Sequence, residues 1–195
     1  MTDGSLKAMV RGAALARRDA LEIDDRLEWD QAIADHLSVS RLLDGVPGPV
    51  AAYWPMRSEA DPRPVLVALH ERGVATALPA MVPRADGPGS EILFRRWVPW
   101  EPIVPGGFGT LVPGPDAPAV QPTALIVPLL AFDAGCRRMG YGKGYYDRAI
   151  TVLRQRGPML AIGIAYAAQQ VQDVPMEAHD EVLDAIVTEN GVIRP

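Results

Sequence analysis

Ala124-Leu125-Ile126-Val127-Pro128-Leu129, followed after a short loop by Arg138-Met139-Gly140-Tyr141-Gly142-Lys143-Gly144-Tyr145-Tyr146-Asp147-Arg148, carries the strongest structural signal in this chain. The first run is continuously apolar, as a strand buried on both faces would be. The second alternates glycines with larger residues and leads into a helical segment over 145–156. Glycines let the backbone approach a ligand and turn its N–H groups inward. The helix start adds unpaired donors and the positive end of its dipole. Arg138 and Lys143 place full positive charges in the same few residues, and together these features suit a polyphosphate. The alternative is a tight strand-to-helix turn whose glycines merely relieve strain. The crowding of cations, tyrosines and an aspartate favours the anion site. The spacing matches neither the Gly-Lys-Ser/Thr end of a P-loop nor the Gly-x-Gly-x-x-Gly of a dinucleotide fold. Asp147 is either a Mg²⁺ ligand beside the phosphates or a helix-dipole partner, and the loop alone leaves both open.

Outward from this unit the pattern repeats. Apolar runs at 50–54, 76–80, 92–97, 160–164 and 184–187 read as strands. Residues 62–72 read as a helix with Val65, Leu66 and Leu69 on one face and Pro62 in its first turn. Two helical segments precede the first strand, one carrying Leu6, Met9, Val10, Ala13 and Ala14, the other Leu27, Ile33, Ala34 and Leu37. Gly45-Val46-Pro47-Gly48-Pro49 ends that region. Strands alternating with helices predict an α/β fold, a mainly parallel sheet flanked by helices on both faces, forming one domain over residues 1–195. Ligands of such sheets bind beyond the carboxyl ends of the strands. Residues 83–90 read as a turn-rich hairpin connection. The 99–122 stretch holds too many prolines and glycines for regular structure, so it reads as a binding loop or a surface excursion.

The 195 residues are 48% hydrophobic and 22% charged, an ordinary globular balance. A formal net charge of −5 argues against a protein built to wrap nucleic acid. No stretch approaches a membrane span, and residues 1–18 lack a secretory core. The single cysteine, Cys136, excludes an internal disulfide. The expectation is a cytoplasmic protein acting on small molecules, with a monomer the simplest state.

These residues resemble the 5-formyltetrahydrofolate cyclo-ligase family (methenyltetrahydrofolate synthetases), and the resemblance runs from Lys7 to Thr188. Its most specific part is the strand and loop from Ile126 to Asp133 with Arg138 to Arg148. Lys7 and Arg11 match the family's Lys-x-x-x-Arg. Their spacing puts both on one helix face, ordinarily solvated surface, which the resemblance turns into an ATP-phosphate contact. Trp54-Pro55-Met56-Arg57-Ser58-Glu59-Ala60-Asp61-Pro62 resembles the family's folate loop, with Glu59 on the pterin and Trp54 lining its pocket. Phe108 matches an aromatic over the folate, and Asp180 a second metal-associated aspartate. Glu59 taken alone reads equally as an acid near a helix start.

The resemblance implies a Rossmann-like three-layer fold, related in shape to sugar-phosphate isomerases and CoA-transferases. It also implies ATP-dependent closure of 5-formyltetrahydrofolate to 5,10-methenyltetrahydrofolate. ATP would be held by Lys7, Arg11, Arg138, Met139, Gly140, Tyr141, Gly142, Lys143, Gly144, Tyr145, Tyr146 and Asp147. Arg138 and Lys143 would act in catalysis, Trp54, Glu59, Phe108, Tyr141 and Tyr145 would bind folate, and Asp147 and Asp180 would hold Mg²⁺. Asp133 is a further metal candidate. Some positions depart from the family pattern. Cys136 stands where the family has glycine, with Gly135 beside it to take over the flexible conformation of the turn. Met139 replaces leucine, and Thr110 and Val112 replace isoleucine and glutamate. A silent formyl-folate-binding paralogue is therefore an alternative, and an isomerase or acyl-CoA transferase on the same fold is another.

Overall fold

A computed structural model describes residues 3–85 and 87–195; the side chains of residues 3–6 and of Phe108 lie outside that description. The apolar role expected of Leu6 and the folate contact expected of Phe108 therefore fall outside it as well. Two helices come first, α1 (Asp3–Asp19) and α2 (Ile23–Val39), followed by β1 (Val50–Ala51), α3 (Arg63–Glu71), β2 (Thr76–Pro83) and β3 (Ser90–Arg96). A hairpin, β4 (Ile103–Pro105) and β5 (Leu111–Pro113), precedes β6 (Ala124–Val127). A second hairpin, β7 (Ala131–Phe132) and β8 (Arg138–Met139), leads to α4 (Tyr145–Arg156). The chain ends with β9 (Leu160–Ile164), β10 (Ala185–Thr188) and β11 (Gly191–Ile193).

The main sheet runs in the order β11-β10-β9-β6-β1-β2-β3. Its five inner strands are parallel, and each edge strand is antiparallel to its neighbour. Burial explains the composition of the inner strands. Alternate residues face opposite layers, and both layers are covered, so β1, β6 and β10 are apolar or small almost throughout. Ile126, Ile162 and Val187 pack with Ile33 and Leu37 of α2 and Leu66 and Leu69 of α3. Leu125, Val127, Ala161 and Ile186 pack on the other face with Ile150 and Leu153 of α4. Gly163 admits Leu129 and Leu183 onto β9, since a Cβ there would lie 2.7 and 2.8 Å from their methyl carbons.

The helix α1 docks apart from the sheet, with Ala14 and Val10 against Leu130, Ala131, Met139 and Val174 around the β7–β8 hairpin. This docking carries the N-terminal cations to the glycine-rich loop.

Three expectations change. The 99–122 stretch holds the β4–β5 hairpin and a 3-10 turn over Gly107–Gly109, despite its prolines and glycines. Both prolines in these strands, Pro105 and Pro113, lie in a two-stranded ribbon rather than in an inner strand. Arg138 and Met139 belong to a strand, not to the loop that follows. Pairing of the first strand stops at Ala51, and residues 52–62 are already connection.

Candidate active site

The chain leaves β1 for β2 on one side, while β6 lies on the other. The crevice at that switch point is where ligands of open α/β sheets bind. A cavity of about 530 Å³ occupies it, walled by Tyr53, Trp54, Met56 and Glu59 beyond β1, by 138–147, by Lys7 and Arg11 of α1, and by the segment around Asp180.

One end of the cavity is cationic. Lys7 is 7% exposed, and its Nζ meets Asp180 Oδ2 at 2.8 Å and Glu177 Oε1 at 3.1 Å. Burial acts to lower the lysine pKa, but the two carboxylates outweigh it and hold it above the usual value. The same pairing overcomes desolvation at Asp180 and lowers its pKa. Arg11 Nε donates to the Gly140 carbonyl at 3.1 Å. Gly142 has φ +89°, and a Cβ there would stand 3.2 Å from Arg11 Cζ. Gly144, the residue before α4, has φ +64°. Both glycines are thus required by the backbone, and the first also by the arginine packed on it.

Arg138 is buried, and its Nη2 pairs with Asp147 Oδ1 at 2.7 Å. The same carboxylate oxygen accepts the Glu181 N–H at 3.2 Å. The Arg138 Nε is buried without a hydrogen-bond partner among the described residues, an unspent donor beside the cavity that an anion would satisfy. Lys143 is exposed at the loop tip. The two expected catalytic cations therefore differ, one a buried member of an ion pair and the other exposed on the surface.

No group of three or more His, Cys, Asp or Glu residues suited to a metal occurs among the described residues. Asp147 and Asp180 nevertheless both line the cavity. Mg²⁺ asks for one or two carboxylates beside substrate phosphates, so these two fit an ion that arrives with a nucleotide. Asp133 does not fit. It is fully buried and spent on the N–H groups of Gly135, Arg137 and Val174 and on the Arg137 guanidinium. Its work is to brace the β7–β8 turn.

The other end of the cavity is apolar and aromatic around one carboxylate. Glu59 is 6% exposed; its Oε2 accepts the Met56 N–H at 2.9 Å and its Oε1 accepts the Tyr141 phenol at 2.7 Å. Burial raises its pKa, while those two bonds and the Arg18 charge partly offset the rise. Burial and the neighbouring Glu59 push the Tyr141 phenol up to about 12, so it remains a donor at neutral pH. The helix-start role open to Glu59 is taken instead by Asp61, which accepts the Arg63 N–H at 2.8 Å. Trp54 lines the same end, with the Arg63 guanidinium 4.9 Å from its ring centroid and Trp97 edge-on at 6.1 Å.

Met139 and Tyr146 reach the cavity while also packing in the core, and Tyr145 lies beneath Arg148 at 5.1 Å. Residues not singled out in the sequence complete the apolar wall. Met81 and Ile92 are cross-strand partners on β2 and β3, and Leu111 joins them from β5. Their apolar character was visible, but pairing across the hairpin and the folding over of β4–β5 are non-local. Glu177 and Arg18 gave no local signal at all.

The model of the 5-formyltetrahydrofolate cyclo-ligase family matches residues 3–189. The chain belongs to this family. It is 31% identical over 147 residues to the 5-formyltetrahydrofolate cyclo-ligase of Escherichia coli (strain K12), covering 73% of this chain and 79% of that one. The namesake from Mycolicibacterium smegmatis is 30% identical over 194 residues, 96% of each chain. The solved Aquifex aeolicus 5,10-methenyltetrahydrofolate synthetase superposes with a TM-score of 0.78 at 30% identity, covering 97% of this chain and 92% of that one. The family's glycine before the loop has a physical reason here. Cys136 has φ +57°, a left-handed conformation, while Gly135 does not. The flexible conformation has not moved to Gly135 as expected. Cys136 adopts it at a cost of about 1 kcal/mol, in a buried turn that forms no part of the cavity lining.

Proposed function

We propose that the chain works as one domain over residues 1–195, a cytoplasmic monomer without nucleic-acid or membrane partners. Its reaction is the ATP-dependent closure of 5-formyltetrahydrofolate to 5,10-methenyltetrahydrofolate with release of ADP and phosphate. The observation that carries this reading is the polarity of one cavity. Cations and a glycine loop occupy one end, and a buried carboxylate with aromatic and apolar walls occupies the other. ATP phosphates suit the first end. A pterin, whose amino and ring N–H groups are donors, suits Glu59 at the second. Among the described residues no helix is long and apolar enough to cross a membrane.

The formyl oxygen attacks the γ-phosphorus, the bond to the ADP oxygen breaks, and the formyl group becomes a phosphorylated imidate. N10 then attacks the formyl carbon, its proton is lost, and phosphate leaves with the formyl oxygen as the ring closes. Phosphoryl transfer asks the protein mainly for position and for neutralised charge. Lys7, Arg11, Arg138 and Lys143 supply the charge, and Tyr141, Tyr145, Trp54 and Glu59 hold the folate. Asp147 and Asp180 would hold Mg²⁺, which would supply positive charge against the negative charge developing on the phosphates. The substitution at Cys136 lies outside the cavity lining, so it gives no support to an inactive paralogue.

The route predicts a specific fate for one atom. With ¹⁸O in the formyl group, the phosphate released should carry that label. Unlabelled phosphate would exclude phosphorylation of the formyl oxygen, and absence of phosphate release would remove the ligase reading.

A further inference from the structure

Arg18, near the end of α1, is 1% exposed. A buried guanidinium is costly unless its donors are used; two of the three Arg18 nitrogens are, while Nη1 is buried without a hydrogen-bond partner among the described residues. Its Nε donates to the Ser58 hydroxyl at 3.0 Å and its Nη2 to the Tyr141 phenol oxygen at 3.0 Å. Its guanidinium carbon stands 5.9 Å from the Tyr141 ring centroid. Ser58 in turn donates to Asp19, the next residue of α1. Ser58 is followed by Glu59, which accepts from the same Tyr141 phenol. One cation thereby joins α1, the pterin-side segment at 58–59 and the phosphate loop at Tyr141.

We propose that Arg18 is a positioning residue that couples the two ends of the cavity, fixing the Tyr141 phenol between itself and Glu59 so that folate and nucleotide each favour binding of the other. The inference rests on the folate and ATP reading above. A phenol has one proton. With Arg18 donating to its oxygen, that proton is directed to Glu59, and Glu59 is held at the cavity wall. A ligand that orders the 58–59 segment also orders the phosphate loop through Tyr141. The second ligand then meets an ordered site, which gives positive and reciprocal coupling. The groups facing Glu59 are Arg18 from α1, Tyr53 beyond β1, Tyr141 from the loop and Tyr146 from α4. Among these Arg18 alone is charged at neutral pH, and it favours the Glu59 carboxylate against burial.

The test measures the dissociation constant of 5-formyltetrahydrofolate with and without adenylyl imidodiphosphate and Mg²⁺, in wild type, Arg18→Met, Arg18→Lys and Tyr141→Phe. In wild type the nucleotide should tighten folate binding by about tenfold. Arg18→Met and Tyr141→Phe should bring that ratio to within about twofold of one, and Arg18→Lys should restore part of it. Both disabling variants should also lose folate affinity at a higher pH than wild type as the solution is acidified, because Glu59 then holds its proton more tightly. A merely structural role would move neither reading. If Arg18→Met does not fold, Tyr141→Phe decides, since its half-exposed ring and packing are kept. A wild-type ratio near one overturns the coupling, as does an unchanged ratio or an unchanged acid limb in Tyr141→Phe. Failure of the wild type to bind folate under any condition overturns the underlying reading instead.

Discussion

Lys143→Ala should lower turnover by roughly a hundred- to a thousandfold with no change in the thermal unfolding midpoint. Lys143 is exposed at the loop tip, so its removal leaves no buried group unpaired. Exposed substitutions of this kind shift stability by about 0.5 kcal/mol or less. Its charge matters when the γ-phosphoryl group carries developing charge, which a cation brought against it in the nucleotide complex neutralises. Arg138→Ala should cost at least as much turnover but should not leave stability untouched. Its guanidinium pairs with Asp147 at 2.7 Å, with side-chain exposures of only 4% and 13%. Breaking one side of such a pair costs about 3 kcal/mol. Steady-state kinetics and thermal denaturation of both variants check the contrast. Near-normal turnover in both would remove the phosphate-loop assignment.

Glu59→Gln should weaken 5-formyltetrahydrofolate binding by roughly ten- to a hundredfold, the worth of hydrogen bonds to a buried charge, while ATP affinity changes far less. The carboxylate accepts donors, whereas an amide offers one acceptor and one donor group to the same pterin edge. The pH dependence has a definite sign. Burial raises the Glu59 pKa above the ordinary value of a glutamate carboxyl. As pH falls through that raised value the acceptor becomes protonated, so folate affinity in the wild type should decline at a higher pH than an ordinary glutamate would allow. Glu59→Gln should lack that decline. Calorimetric titration of each ligand across pH checks both points, and equal losses for folate and ATP would refute the pterin assignment.

Much of this site was legible in the chain because it is local. The strand at 124–127, the alternating glycines and the start of α4 follow one another in sequence, and their chemistry can be read without a partner. Lys7 and Arg11 were legible as a pair on one helix face, but only docking of α1 against the β7–β8 hairpin brings them to the loop. The state of Arg138 was not legible. Its spacing shows a cation near glycines, while its burial depends on Asp147 and the segment at Glu181. Arg18 was hidden for a related reason, since nothing in a polar run at the end of a helix shows that the distant Ser58 segment and Tyr141 loop fold onto it. Short strands such as β4 and β5 escape notice because pairing, not propensity, creates them. Asp133 sits in the motif and read as a metal candidate, yet its bonds to three backbone N–H groups give it a bracing role.

The most direct measurement is absorbance in the methenyl-folate band after mixing the purified protein with 5-formyltetrahydrofolate, ATP and Mg²⁺. A rise that needs both ATP and Mg²⁺ is the predicted result. A folate that binds without any rise would contradict the cyclo-ligase activity and leave a binding protein in its place.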